Sequence, residues 1–128
     1  MSNLSDDTLR KILTQIQQQA VTSQKQLSIV KAQIASKEKE RKILSLTVRE
    51  LGSVPTDGQS TMYKGVGKMF IEQDRAEINK EHASQEKTLS EEISNLSKKA
   101  KYLEKQFDEA NGQLKDIFHS QQRQAAAQ

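Results

Sequence analysis

The chain has 128 residues, of which 34% are hydrophobic, 4% aromatic and 29% charged, and its formal net charge is +3. Compact domains contain about 45–50% apolar residues with glycine counted, so we do not expect a thick hydrophobic core. The sequence has no cysteine, which excludes a disulfide framework and a thiolate metal site, and its five glycines and one proline are too few for a loop-rich sandwich or barrel. The composition favours one thin, mostly helical domain over residues 1–128.

Charge is distributed unevenly along the chain. Residues 1–51 hold 9 basic and 5 acidic side chains, a net +4, residues 52–71 add +1, and residues 72–128 hold 9 and 11, a net −2. Long segments of opposite sign are expected to face each other, whereas a nucleic-acid surface would concentrate one sign. The first residues do not resemble a signal peptide, and no apolar run approaches the ~20 residues that span a bilayer. We therefore expect a cytoplasmic protein that binds neither nucleic acid nor membrane.

The first predicted element is a helix over residues 5–51. Alternating steps of four and three from Leu9 give thirteen positions, ten of them apolar, and most residues between them are polar. A heptad pattern of this length is typical of a coiled coil. Ser5 is suited to cap the start of the helix, and Gly52 and Pro55 mark its end.

Residues 52–71 are predicted to form a linker and a short β-hairpin. We expect strands at about 60–63 and 68–71, with Gly65 and Gly67 supplying the positive φ angles of a tight turn. A lone two-stranded hairpin is marginal in water and has open edges. Since one chain offers no further strands, the hairpin is expected to pair with other subunits.

The second predicted helix covers residues 72–122 and is followed by a frayed tail at 123–128. Its heptad stripe is apolar at all nine positions from Leu89 to Ile117 and turns polar towards Arg75. The sequence thus predicts a mostly α-helical fold, with two long helices that form an antiparallel coiled coil and are joined by the hairpin.

The two heptad stripes predict a register for that coiled coil. Laid antiparallel, they pair Leu9 with Ile117, and every heptad position finds a partner. The charged exception Arg41 meets the oppositely charged Glu86. A parallel arrangement of the helices would contradict this prediction.

No motif in the chain predicts catalysis. His82 and His119 are far apart and lack a ligand pattern such as HExxH. The glycines at 65 and 67 precede Lys68, but the spacing and the residue after the lysine do not fit a phosphate-binding loop. The basic stretch 98–101 is followed by acidic residues at helical spacing, which favours a solvated, salt-bridged face. We therefore expect no enzyme, no metal and no cofactor.

Apolar residues near both termini are predicted to meet at one end of the coiled coil. Such an end covers its own apolar side chains poorly, so it either packs as a helix end or forms a partly exposed tip that holds an unfolded chain. The sequence leaves both interpretations open. The residues concerned are Leu4, Leu9, Ile12, Leu13, Ile117 and Phe118.

The hairpin sequence MYKGVGKMFI at residues 62–71, set between two heptad-patterned helices, resembles the β-class subunits of the prefoldin family. The resemblance covers about residues 5–118. It implies a heterohexamer of two α-class and four β-class subunits, whose hairpins join into a β-barrel body and whose coiled coils project from it. It also implies that the tips hold non-native clients, above all actin and tubulin chains, and deliver them to the cytosolic chaperonin without ATP.

The resemblance implies two sets of functional residues. The subunit-assembly set is Tyr63, Val66, Met69, Phe70 and Ile71. The client-binding candidates are Leu4, Leu9, Ile12, Ile117 and Phe118. The alternative is a structural or tethering coiled-coil scaffold, which accounts for the heptads and the lack of an active site but leaves the open edges of the hairpin unexplained.

Overall fold

The computed structural model describes residues 5–55 and 61–127 of the chain. Within them, helix α1 (Asp6–Gly52) is followed by strand β1 (Tyr63–Val66), strand β2 (Met69–Glu72) and helix α2 (Arg75–Ala127). The strands form an antiparallel hairpin. The predicted fold class, two long helices joined by a short hairpin, is confirmed.

Helix α1 begins at a polar cap. The Ser5 carbonyl accepts the first helical hydrogen bond from the Leu9 amide at 2.9 Å, and the Ser5 hydroxyl accepts one from the Thr8 amide at 3.2 Å. Asp6 and Asp7 occupy the first turn, where negative charge interacts favourably with the helix dipole. The sequence signals at this end therefore predicted the helix start to within one residue.

Helix α2 continues to Ala127, whereas the sequence predicted a helix that ends near residue 122 and a frayed tail at 123–128. The physical reason lies in the composition of residues 121–127, QQRQAAA, which contains only good helix formers and no glycine or proline. The polarity of this stretch suggested fraying, but it does not oppose helical backbone geometry.

Two compact units can be distinguished within the chain. The first, here unit 1, takes the described parts of Met1–Gln33 and Leu96–Gln128, and the second, unit 2, is Ile34–Asn95. In unit 1 the two helical segments cover one another along their heptad stripes. The residues buried there are Ala20, Ser23, Leu27 and Val30 on α1, and Leu103 and Ala110 on α2.

Unit 2 shows the antiparallel register directly. Lys37 forms an ion pair with Glu92 at 2.6 Å, and Arg41 forms one with Glu86 at 2.8 Å. The residue numbers of the contacts thus decrease along α2 as they increase along α1, as expected for antiparallel helices. The predicted pairing of Arg41 with Glu86 is confirmed.

One heptad position departs from the prediction that every stripe residue finds a partner. Val48 is 45% exposed, although Leu44, one turn earlier on the same stripe, is buried. The matching position on α2 under the predicted pairing is Asn79, which is itself exposed. A short polar side chain on this stretch of α2 supplies no apolar cover for Val48, and a cleft of about 740 Å³ lies beside it.

The hairpin is shifted along the sequence from its predicted position. Its strands pair Tyr63 with Glu72 and Val66 with Met69, so the predicted strands at about 60–63 and 68–71 were placed too early, the first by three residues and the second by one. The two-residue turn is Gly67-Lys68, in which Gly67 has a φ of 61°. A positive φ at the first turn residue alone is the pattern of a type II′ turn.

Gly65 lies within β1 and pairs with Phe70, so its expected role in the turn was wrong. A Cβ at Gly65 would meet the Phe70 ring at 3.8 Å, which is an ordinary contact. Glycine adopts the extended backbone of a strand as readily as the left-handed conformation of a turn. Gly65 therefore fits the ladder opposite Phe70, while Gly67 occupies the turn.

Candidate functional site

The hairpin presents apolar side chains on both of its faces. Directly paired residues share a face, so Val66, Met69 and Ile71 lie on one side, and Tyr63 and Phe70 lie on the other. All five are exposed: Tyr63 60%, Val66 46%, Met69 66%, Phe70 78% and Ile71 51%. We call these five residues the hairpin surface; they are the predicted subunit-assembly set.

This exposure matters because the strands are short and have open edges. Each strand has four residues, and within the described chain the sheet consists of these two strands alone. Unpaired backbone N–H and C=O groups along such edges offer hydrogen bonds to further strands. The hairpin surface therefore combines apolar faces with free strand edges, which is the arrangement that strand addition by another chain requires.

Glu81 of α2 connects the helix to β1 and to the residue that follows β2. Its Oε1 accepts a hydrogen bond from Gln73 Nε2 at 2.8 Å, and its Oε2 accepts one from Lys64 Nζ at 3.1 Å. Gln73 also extends the ladder, because its amide donates to the Met62 carbonyl at 2.9 Å. The hydrogen bond from Gln73, followed by that from Lys64, lowers the pKa of Glu81 from its usual value.

Arg75, the first residue of α2, closes the end of α1. Its Nη2 donates to the Leu51 carbonyl at 2.5 Å and to the Val54 carbonyl at 2.9 Å. The last carbonyls of a helix have no partners within it and carry partial negative charge, so a guanidinium there satisfies hydrogen bonds and complements the dipole. This contact fixes the bend of the chain that carries the hairpin.

The helices of unit 2 meet along a polar seam, defined here by Lys37, Arg41, His82, Glu86 and Glu92. The hydrogen bond to Glu92 is the main cause of a raised pKa at Lys37. The side chains of both ion pairs are one third to one half exposed, which makes each pair weakly stabilising. The seam contributes more to the choice of register than to stability, because a shifted register would separate these charges.

The client-binding candidates fall in unit 1, apart from Leu4, which lies outside the described residues. Leu9, Ile12 and Ile117 are half-buried. Phe118 is 65% exposed. This pattern is compatible with a helix end and with a client-holding tip, so the role of these residues stays a prediction.

Sequence reasoning missed the residues that position the hairpin. Glu81 and Gln73 were not singled out, and Arg75 was noted only as the polar end of the second heptad stripe. Ile43 and Leu46, which are 55% and 49% exposed on α1, were missed as well. Their signal was available, since they lie three residues apart and outside the heptad stripe.

Other kinds of site find no support in the described part of the chain. Among residues 5–55 and 61–127, no group of three or more His, Asp or Glu side chains is placed to hold a metal ion. The same residues include no helix that is both long and apolar enough to cross a membrane.

Comparison with known proteins gives a consistent result. The family model described as "Prefoldin subunit" matches residues 14–121. The chain is 30% identical to prefoldin subunit 1 of Tetraodon nigroviridis, covering 97% of this chain and 100% of that protein. It is 36% identical to the probable prefoldin subunit 1 of Schizosaccharomyces pombe, covering 88% and 98%. It is 28% identical to human prefoldin subunit 1, covering 93% and 96%.

The fold agrees with these sequence matches. The crystal structure of the prefoldin β subunit from Thermococcus strain KS-1 superposes with a TM-score of 0.75, covering 91% of this chain and 96% of that one at 21% identity. At that identity the superposition establishes the helix–hairpin–helix fold, and the family model and the eukaryotic relatives establish the family. This chain belongs to the prefoldin subunit family.

Proposed function

We propose that this chain is a subunit of a heterohexameric prefoldin, assembled through its hairpin with two α-class and three other β-class subunits. The observation that supports the proposal is the hairpin surface, whose five apolar side chains are 46–78% exposed on a chain that is 29% charged. Exposed apolar residues on short strands with open edges gain hydrogen bonds and burial when other hairpins add to the sheet. The product of that addition is a β-barrel body.

In this proposal the assembled complex acts as an ATP-independent holdase in the cytoplasm. The coiled-coil tip, with Leu9, Ile12, Ile117 and Phe118, holds non-native polypeptides of the actin and tubulin class and delivers them to the cytosolic chaperonin. Holding diverse unfolded chains needs many weak apolar contacts without a fixed shape. Release then follows from transfer to the chaperonin, and the subunit itself is neither an enzyme nor a binder of any cofactor.

Assembly is tested by a charge placed on the hairpin surface. Phe70→Asp should reduce recovery of the hexamer on co-expression with the other subunits by at least about tenfold, because a carboxylate would be buried without a partner. Ile29→Asp is the matched control, since Ile29 is 59% exposed in unit 1 and belongs to the same chemical class. Size-exclusion chromatography with light scattering measures the outcome.

The result also separates the proposal from the alternative of a tethering scaffold. A tethering coiled coil forms one defined oligomer by itself, whereas a prefoldin subunit forms its complex only when the other subunits are present. Normal hexamer assembly by Phe70→Asp would refute the barrel role of the hairpin.

Client holding is tested by shortening α2 at its carboxyl end. A chain that ends at Asp116 should still assemble but should suppress client aggregation less well, because Ile117 and Phe118 are removed. A chain that ends at Gln122 is the control, since it loses only the polar and alanine-rich residues that follow. Unchanged suppression by the shorter chain would show that the tip contacts of this subunit are dispensable.

A further inference from the structure

An apolar groove lies on α1 close to the hairpin, away from the heptad stripe. It measures about 590 Å³ and is lined mostly by apolar atoms. We call it the α1 groove, and its lining residues are Ile43, Leu46, Thr47, Leu51, Val54 and, at the edge, Glu50 and Ser53. Ile43 and Leu46 are about half exposed, so the groove is open to solvent in this chain.

The two hydroxyl groups that line the α1 groove are already satisfied within the chain. The Thr47 hydroxyl donates to the Ile43 carbonyl at 2.9 Å, and the Ser53 hydroxyl donates to the Glu50 carbonyl at 2.7 Å. A partner that covers the groove therefore leaves no hydroxyl donor without an acceptor. Burial there removes apolar surface from water at little polar cost.

The α1 groove is continuous with the surroundings of the hairpin. Thr47, Leu51 and Val54 line this groove and also a second cleft, which extends to Tyr63 of β1 and to Ile78 of α2. Tyr63 belongs to the hairpin surface. The second cleft is apolar at Leu51, Val54 and Ile78 but also polar at Lys64, Gln73 and Glu81. One surface of mixed polarity thus runs from the outer face of α1 to the first residue of the sheet.

We propose that the α1 groove is covered by the adjacent subunit of the assembled complex, so that the subunit interface extends from the hairpin onto α1. The inference rests on the proposed function, because it takes assembly through the hairpin as given. A strand added to the edge of this hairpin brings its own chain beside β1, where the surface that leads to the α1 groove begins. The occupant is therefore a different prefoldin subunit with apolar side chains near its own hairpin.

Site-specific photo-cross-linking in the reconstituted complex tests this proposal. A benzophenone amino acid at Leu46 should form cross-links to one or two other subunits, whereas the same group at Val21, which is exposed in unit 1, should form few. Leu46→Asp should weaken assembly about tenfold relative to Ile29→Asp. The isolated Leu46→Asp chain should keep the circular dichroism spectrum of the parent, because the side chain is half exposed.

The outcomes distinguish this inference from the proposed function. If Phe70→Asp abolishes assembly while Leu46→Asp assembles normally and Leu46 forms no subunit cross-links, the groove inference is overturned and the hairpin role stands. If neither variant affects assembly, the proposed function itself fails. Cross-links from Leu46 to a second copy of this chain, or only to an added client, would also overturn the inference, since each identifies another occupant.

Discussion

Unit 1 and unit 2 draw on the same two helices, but they treat apolar side chains in different ways. Among the described residues, four large apolar side chains stay exposed in unit 1 and eight in unit 2. Unit 1 buries Val30 to 2% and Leu103 to 4% along a stripe whose buried residues are apolar except for Ser23. Unit 2 also buries Leu44, Ile78 and Leu89, but ion pairs interrupt its stripe, and most of its exposed apolar residues lie on the hairpin and on the outside of α1.

The difference in exposed apolar residues distinguishes a unit that mainly packs against itself from a unit with surface for association. A region that buries its apolar stripe is stable through contacts within one chain. Exposed apolar residues that are concentrated in one region are typical of an interaction surface. In the proposed complex, unit 1 is stabilised by contacts within the chain, whereas the hairpin of unit 2 is the segment that partners would complete.

The largest change in the free energy of unfolding is expected in unit 1. Leu103→Ala should destabilise the isolated chain by about 2–4 kcal/mol, because it leaves a cavity in the buried stripe. Phe70→Ala, at a side chain that is 78% exposed, should change stability by less than about 0.5 kcal/mol. Urea denaturation followed by circular dichroism measures both, and equal costs for the two variants would contradict the comparison.

A smaller effect is expected at the bend of unit 2. Arg75→Ala should destabilise the chain by about 1.5–3 kcal/mol, because two carbonyls lose a charged donor. Arg75→Lys should recover only part of this, since an ammonium lacks the planar fork of donors. Thermal and urea unfolding of the isolated variants would reveal the difference, and full recovery by lysine would show that charge alone matters there.

The ion pairs of the polar seam should contribute still less to stability. A double-mutant cycle on Arg41→Ala and Glu86→Ala should give a coupling energy of about 0.2–1 kcal/mol, which salt reduces. The exchange of the two charges, Arg41→Glu with Glu86→Arg, should retain the antiparallel register, whereas Arg41→Glu alone should lower stability. A coupling well above this range would mean that the seam is a main source of stability in unit 2.

The smallest effect concerns pH and is local to the hairpin. The pKa of Glu81 is lowered in the folded chain, so its contacts stabilise the hairpin fully above the usual carboxyl pKa of 4.5 and lose this effect as pH falls through the lowered value. The protection of the Lys64 and Gln73 amides against hydrogen exchange, corrected for the intrinsic pH dependence of the rate, should therefore decrease on acidification. Glu81→Gln should remove this additional dependence, and its persistence in that variant would assign it to another group.

The sequence was sufficient for features that repeat or have local signals. Heptad spacing predicted both helices and the pairing of Arg41 with Glu86, and the Ser5 cap predicted the start of α1. The hairpin position was less accurate, because Gly65 and Gly67 are equally able to occupy a turn and only the pairing with Phe70 decides between them. The exposure of Val48 was missed because the heptad pattern pairs it with Asn79 without regard to side-chain polarity. The short polar side chain of Asn79 gives Val48 no apolar cover.

The anchors of the hairpin could not be predicted for a different reason. Glu81 contacts residues eight and seventeen positions away, and its two partners come together only when the strands and α2 are in place. Gln73 and Lys64 carry ordinary surface side chains with no spacing rule that connects them. The candidate site was therefore found through its exposed apolar residues, while the side chains that orient it required the structure.

The contacts of Glu81 have a consequence for how fast and how tightly partners bind. A short hairpin free in water samples many conformations, and ordering it during association would reduce affinity. Here Lys64 of β1 and Gln73, which follows β2, donate hydrogen bonds to Glu81 of α2, so the hairpin is restrained when the chain folds and before a partner binds. For the strand addition proposed above, this restraint preorganises the hairpin, and variants of Glu81 should slow association of subunits without changing the hairpin surface itself.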